Sequence, residues 1–186
     1  GDVYKRQGGI KLENSLMFCY QCEQTVGGKG CTKRGVCGKT PEIANLQDLL
    51  IYQLKGISCY AKEILDKGGN IDQEVVKFVE NGLFTTLTNV NFDPEVHINL
   101  LKKSQKIKEK LRKIAPKGEY PEHAIYNLSD SKDEMLKDAI KAGIMYDDSL
   151  DQDIRSLRST ILYGLKGIAA YGHQARSVSY THLRAH

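Results

Sequence analysis

Four of the chain's five cysteines lie close together, and this group constrains the fold more than any other feature of the sequence. Cys19, Cys22, Cys31 and Cys37 follow the spacing Cys-x2-Cys-x8-Cys-x5-Cys, whereas Cys59 stands alone. A secreted disulfide scaffold normally spreads its cysteines along a short chain. We therefore expect reduced thiols in a cytoplasmic protein, where cysteines grouped in this way more often bind a metal.

The spacing is compatible with more than one thiolate chemistry. Structural zinc sites usually take their thiolates from two Cys-x2-Cys pairs, and the second pair here is wider. An iron–sulfur cubane takes one thiolate per iron and is larger than a single ion, which suits uneven spacing. Glycines such as Gly27, Gly28 and Gly30 let backbone amides approach inorganic sulfide. The spacing therefore favours an iron–sulfur cluster, with zinc or disulfides as alternatives.

Composition and charge exclude several other classes of protein. The chain has 186 residues, is 40% hydrophobic and carries a net charge of +4, with basic and acidic residues interspersed. Such a chain can bury its own core, and it lacks the basic patch typical of nucleic-acid binding. No apolar run approaches the length of a membrane span. We expect neither nucleic acid nor membrane as a partner.

The apolar residues recur with helical spacing, and no alternating strand pattern competes with it. Capping residues and first-turn prolines mark the helix starts, and glycines or Pro116 mark their ends. The sequence therefore predicts an all-α fold with five helices: Thr40 to Gly68, about Asp72 to Leu87, Asp93 to Pro116, Ser131 to Gly143, and from about Asp148 onward.

Two of these helices resemble each other. Leu49–Ala61 and Thr160–Gly172 are identical at 6 of 13 aligned positions, which predicts two similar helices of one bundle, with Gly56 and Gly167 allowing close approach. The first domain would then be discontinuous, formed by residues 17–66 and 147–176, with residues 67–146 inserted as a second helical bundle. Residues 1–16 and 177–186 show no matching pattern, and we interpret both segments as non-native tails.

The cysteine motif also carries a family resemblance. Residues 17–25 (MFCYQCEQT) and 30–39 (GCTKRGVCGK), together with stretches at 54–57 and 154–171, resemble the amino terminus of the hybrid cluster protein, or hydroxylamine reductase, family. The resemblance implies two three-helix bundles, one interrupting the other. It also implies a [4Fe–4S] cubane bound by Cys19, Cys22, Cys31 and Cys37. The family reduces hydroxylamine to ammonia and water with two electrons, and some members reduce nitric oxide.

The chain departs from this family in one respect that bears on function. Family members are more than twice as long, and their catalytic hybrid [4Fe-2O-2S] cluster is bound by a His, two Glu and four Cys beyond the helical region. This chain has no cysteine after Cys59. We therefore expect an amino-terminal fragment that relays electrons, is inactive alone and contains no catalytic residue. Its expected partners are a redox donor protein and the remainder of its own enzyme. The alternative is an interaction module stabilised by zinc or a cluster, without a redox role.

Other reactive residues have simpler interpretations. We expect Cys59 to fill space in the core as a small apolar residue. His97, His123 and His173 lack a metal-ligand spacing and are expected at the surface or half-buried. The lysine-rich run from Lys102 to Lys113 is expected to be a solvated helix face rather than a docking site for an acidic electron donor.

Overall fold

The computed structural model describes residues 17–143 and 150–182, and within these ranges the regular structure is helical. The predicted all-α fold is confirmed. The described residues form six α-helices, and none of them combines the length and hydropathy needed to cross a bilayer. Their bounds are α1 Pro41–Asp66, α2 Gln73–Thr85, α3 Pro94–Ile114, α4 Glu122–Ile125, α5 Lys132–Ala142 and α6 Gln152–His182.

Helix α1 is the centre of the fold. The Thr40 hydroxyl accepts a hydrogen bond from the Ile43 N–H (3.3 Å) and Pro41 occupies the first turn, as the sequence predicts. The helix packs against α3, α4 and α5 and, less extensively, against α2. Its apolar face is almost fully removed from water at Leu46, Leu50 and Ile57. This core packs around α1, and the cysteine segment, residues 17–39, leads into its first turn.

Two helix boundaries and one additional short helix differ from the sequence prediction. Helix α2 ends at Thr85 rather than Leu87, because the Thr86 hydroxyl donates to the Leu83 carbonyl (2.8 Å) and closes the last turn. Helix α6 begins at Gln152, where the Asp151 carboxylate accepts from the Asp153 N–H (2.8 Å). The predicted start near Asp148 lies outside the described residues. Helix α4 was not predicted, since four residues are too few to show a period.

The two glycines of the similar helices have different surroundings. A Cβ atom on Gly56 would clash with the His123 carbonyl oxygen, so α1 does make a close approach there. A Cβ atom on Gly167 would meet nothing within 4 Å. The expectation that Gly167 brings α6 close to a neighbour is therefore wrong. Helix α6 packs mainly against α2, and a cavity separates much of it from α1.

The predicted domain division and tails stay predictions. The main apolar core includes Phe78, Leu101 and Met135 of the predicted inserted bundle as well as Leu50 of α1. Residues 1–16 and 183–186 lie outside the described ranges. Helix α6 continues to His182, which is inside the segment 177–186 that we interpret as a tail.

The lysine-rich face of α3 is exposed, as expected, at four lysines between Lys102 and Lys110. Lys108 is the exception, because its side chain is buried and its ammonium donates to the Tyr126 carbonyl oxygen. Burial lowers the pKa of Lys108 to about 8. The periodic pattern of lysines does not distinguish this one, whose side chain reaches inward under Tyr126.

Candidate metal centre

Two of the four clustered cysteines are paired through their backbones. The Cys19 N–H donates to the Cys31 carbonyl (3.1 Å), and the Cys31 N–H donates to the Cys19 carbonyl (2.8 Å). In an antiparallel pair of this kind the side chains leave from the same face, with Cα atoms about 5.5 Å apart. The fold therefore places the thiols of Cys19 and Cys31 side by side, although eleven residues separate them in sequence.

The other two cysteines lie in tight turns of the same segment. Cys22 begins a turn in which the Thr25 hydroxyl and N–H both donate to the Cys22 carbonyl (2.8 and 3.3 Å). Cys37 lies in a turn closed by the Gly38 N–H donating to the Gly35 carbonyl (2.9 Å). A Cβ atom on Gly35 would lie 3.1 Å from the Cys37 sulfur, so only glycine leaves that sulfur uncrowded.

The cysteine thiols are free to act as ligands, but the described side chains are not arranged around the position of a single metal ion. All five cysteines lie within the described residues, and each has a free thiol. Among the described side chains, no three His, Cys, Asp or Glu groups form a site for one metal ion. The shared cluster site of Cys19, Cys22, Cys31 and Cys37 therefore stays a prediction, of which the structure shows the Cys19–Cys31 pairing.

A small core anchors the cysteine segment to α1. Cys31 is only 4% exposed and packs with Met17 and Ala44, and Cys19 packs against this group. The Met17 N–H also donates to the Thr32 carbonyl (3.2 Å). These contacts explain why the segment lies against the first turns of α1 rather than extending into solvent.

Positive charge is concentrated beneath Cys19. Lys39 is 2% exposed and places its ammonium nitrogen 3.9 Å from the Cys19 sulfur. Lys166, from α6, is also buried and donates to the Thr86 carbonyl (3.3 Å). With the Gln21 amide turned so that both of its groups are satisfied, Lys166 also donates to the Gln21 oxygen (3.2 Å). Two buried ammonium groups therefore lie at the cysteine segment, Lys39 from the segment itself and Lys166 from α6.

The carboxyl group of Asp48 interacts electrostatically with both of these lysines. Asp48 lines a cavity below the cysteine segment, and loss of water raises its pKa to about 7, although Lys166, Lys39 and Lys55 partly offset this effect. Burial lowers the pKa of Lys166 to about 8, partly offset by Asp48. Both pKa values therefore lie near neutral pH.

The cavity has a volume of about 900 Å³ and lies between α1 and α6. Its wall includes the first cysteine of the motif, Cys19, and the aromatic residues Tyr20 and Tyr163, whose ring centroids are 5.8 Å apart. Several basic residues line the same wall, among them Lys55, Arg155 and Arg158. The cavity thus connects the cysteine segment with the basic inner side of α6.

Cys59 lies on the cavity wall and has a specific neighbour. Its sulfur is 3.3 Å from Nε2 of His123, and the side chain also packs against the main core. Burial raises the pKa of the Cys59 thiol, and burial lowers the pKa of His123. Both shifts favour the neutral forms, so the pair is a thiol hydrogen-bonded to an imidazole rather than an ion pair. This agrees with the packing role expected for Cys59.

Comparison with known proteins extends over nearly all the described residues. Residues 17–184 match the sequence profile of the Prismane/CO dehydrogenase family. The chain belongs to this family. It is 44% identical over 168 residues to the hydroxylamine reductase of Thermoanaerobacter pseudethanolicus and 44% identical over 165 residues to that of Acetivibrio thermocellus. It is 40% identical over 173 residues to the hydroxylamine reductase of Methanocaldococcus jannaschii.

The prismane-family relatives are much longer than this chain. The alignments cover 88%, 87% and 91% of the chain but only 30%, 29% and 31% of the three relatives, in the same order. The chain therefore spans about a third of their length. The expected resemblance to hydroxylamine reductases is confirmed, and the coverage is consistent with an amino-terminal portion.

Membership of the prismane family implies iron–sulfur clusters, and the residues present fit one. Four free thiols lie on one segment, Gly35 leaves room at the Cys37 sulfur, and Lys39 supplies a buried positive charge at Cys19. A cubane binds each thiolate to a different iron, so its ligands lie farther apart than those of a single ion. The donor set thus suits a cluster.

The sequence did not predict two residues that the structure places at this centre. His97 was expected at the surface or half-buried, and this expectation is wrong because its side chain is fully buried. Gln47 is buried beside it. Both lie on apolar faces of long helices, where a polar residue is a visible exception to the pattern. Lys39 is one of several basic residues close to the motif in sequence, and nothing in the sequence indicates that its side chain is buried.

Proposed function

We propose that this chain is the electron-relay portion of a hydroxylamine reductase and that Cys19, Cys22, Cys31 and Cys37 bind a [4Fe–4S] cluster. The observation that carries the proposal is the backbone pairing of Cys19 with Cys31, which places two thiols side by side within a prismane-family sequence. Such a cluster supplies one-electron transfer. The chain's own residues bind the cluster, exclude water at Cys31 and provide positive charge at Cys19.

The complete enzyme would reduce hydroxylamine to ammonia and water with two electrons, and nitric oxide reduction is the second candidate activity. We place both reactions, and any hybrid [4Fe-2O-2S] cluster, in a part of the enzyme beyond this chain. The relatives named hydroxylamine reductase support this proposal, since about two thirds of their length has no counterpart here. The free thiols of the described cysteines favour a reducing compartment, the cytoplasm.

We propose two partners, a redox donor protein and the remainder of the same enzyme. The second is supported by α6, which exposes apolar side chains at a heptad-like spacing: Ile154, Leu157, Ile161, Ile168 and Tyr171. A stripe of this kind fits another helix. Because the relatives are about three times as long, a helix from the rest of the polypeptide is the occupant we propose.

The experiment is anaerobic reconstitution of the chain with iron and sulfide, followed by metal and sulfide analysis. We expect about four iron and four sulfide per chain and a visible chromophore that dithionite bleaches reversibly. The variant Cys31→Ala should not assemble this cluster, whereas the matched control Cys59→Ala should, because Cys59 lies apart from the motif.

Two results would favour the alternative of an interaction module without a redox role. Stoichiometric zinc without a chromophore would replace the cluster with a structural metal site. A cluster that assembles but cannot be reduced would remove the relay function while leaving the ligand assignment intact.

A further inference from the structure

Lys39 differs from the other basic residues near the cysteines. Lys29, Lys33 and Arg34 are exposed, whereas the Lys39 side chain is almost completely buried. Its ammonium nitrogen donates to the Gln47 oxygen (2.7 Å) and lies 3.9 Å from the Cys19 sulfur. Exposed charges are screened by water and salt, whereas a buried charge is screened much less. Lys39 is therefore the basic residue of the segment best placed to act on a cluster.

A chain of buried hydrogen bonds fixes the direction in which Lys39 points. His97 Nδ1 is 2.7 Å from the Asp93 carbonyl, so this nitrogen must carry the hydrogen. His97 is fully buried, and burial lowers its pKa, which keeps the ring neutral. Its Nε2 is then an acceptor, and it faces the Gln47 nitrogen at 3.4 Å.

Gln47 transmits this orientation to the lysine. Its nitrogen donates to His97 and to the Asn91 carbonyl (3.2 Å), which turns its oxygen toward Lys39. Gln47 is 2% exposed, so water cannot substitute for these partners. The amide has one orientation that satisfies all three contacts, and in that orientation Lys39 is held beside the Cys19 sulfur.

We propose that His97 and Gln47 form a buried positioning chain that holds the Lys39 ammonium at Cys19, and that Lys39 thereby raises the reduction potential of the cluster. This inference rests on the proposed function. Reduction adds one negative charge to a thiolate-bound cluster, and a nearby fixed positive charge stabilises the reduced form more than the oxidised form. Hydrogen bonding to the cluster's ligands and the local charge are recognised determinants of such potentials.

The experiment is a redox titration of the reconstituted chain and its variants. Lys39→Met keeps the length of the side chain and removes its charge. We expect the ratio of reduced to oxidised cluster at a fixed ambient potential to fall at least tenfold, about 59 mV for one electron. Gln47→Met should lower the ratio by a smaller factor, because the Lys39 charge remains but loses the hydrogen bond that positions it. Lys39→Arg should restore most of the wild-type ratio.

Lys33→Met is the matched control, since it removes an exposed lysine of the same segment and should leave the ratio unchanged. The drop in Lys39→Met should also persist between low and high salt, which a purely structural role would not require. A loaded Lys39→Met chain with the wild-type potential would overturn the inference. If Lys39→Met fails to assemble a cluster, a wild-type potential in Gln47→Met overturns it instead.

These outcomes are separate from a failure of the proposed function. A wild-type chain that takes up no cluster would contradict the function itself. A wild-type chain with a normal cluster whose potential is indifferent to Lys39 and Gln47 would contradict only the positioning chain.

Discussion

Gly56 and Gly167 occupy the same position in two similar Lys-Gly-Ile sequences, yet their surroundings are opposite. A side chain at Gly56 would press on the His123 carbonyl, whereas Gly167 faces open space. Alanine favours a helix over glycine by about 1 kcal/mol, while overpacking costs about 1–3 kcal/mol. The two effects compete at Gly56, and only the first operates at Gly167.

We expect Gly56→Ala to lower the free energy of unfolding by about 1–2 kcal/mol, because the steric cost exceeds the gain in helix propensity. Gly167→Ala should raise it by up to about 1 kcal/mol. Urea unfolding followed by circular dichroism measures both. A stabilised Gly56→Ala variant would mean that α1 and the segment around His123 are not in close contact.

Asp48 should make the stability of the iron-free chain depend on pH. The pKa of Asp48 in the folded chain is raised from 3.8 to about 7. Its contribution to the free energy of unfolding is therefore fully present below pH 4 and is lost as the pH rises through 7. Asp48→Asn does not titrate, and it should lose less stability than the wild type between pH 4 and 7. A shift of this size corresponds to at most about 4 kcal/mol.

The measurement is the urea midpoint of the two proteins at several pH values, with Asp130→Asn, at an exposed position before α5, as the control. The control should follow the wild type. Parallel curves for the wild type and Asp48→Asn would show that water reaches this carboxylate freely in the folded chain.

At the scale of elements, α6 exposes an apolar stripe that no other described helix covers along its length. Its members are substantially exposed, Ile161 at 63%. We expect the chain to bind an apolar fluorescent dye and Ile161→Lys to reduce that binding. Ile140→Lys is a matched control, because Ile140 on α5 is equally exposed (63%) but lies outside the stripe. Equal losses in both variants would show that the stripe is not a continuous surface.

The helices follow from local rules that a sequence displays. Thr40, Asp93 and Ser131 cap α1, α3 and α5 at the predicted positions, and each side chain accepts a bond from a first-turn N–H. The short helix α4 cannot be predicted from local sequence, because its single turn depends on contacts with α1. The packing partners of a helix cannot be predicted in this way either, since identical Lys-Gly sequences have different neighbours in α1 and α6.

The sequence predicts the cysteines of the candidate site but not the buried polar residues beside them. Spacing predicts that Cys19, Cys22, Cys31 and Cys37 act as a set, because four thiols in one short segment are typical of a metal or cluster site. The buried chain from His97 to Lys39 is not visible, because it joins residues 50 and 8 positions apart through contacts that only the packed helices create.

At the scale of the whole molecule, we expect the chain alone, loaded with its cluster, to show no hydroxylamine turnover above that of a free cubane. It spans about a third of the hydroxylamine reductases to which it is similar, and it has no cysteine beyond Cys59 to hold a second cluster. Ammonia formation under a chemical electron donor measures this. Turnover comparable to that of a full-length relative would assign catalysis to the present residues.

The pairing of Cys19 with Cys31 uses only main-chain atoms. Replacing either thiol therefore leaves these backbone hydrogen bonds available, while Cys31→Ala also removes a sulfur that packs with Met17 and Ala44. If the proposed cluster forms, the same contact would give its assembly a starting point, because two of its four proposed ligands already lie side by side and only the turns carrying Cys22 and Cys37 would have to adjust.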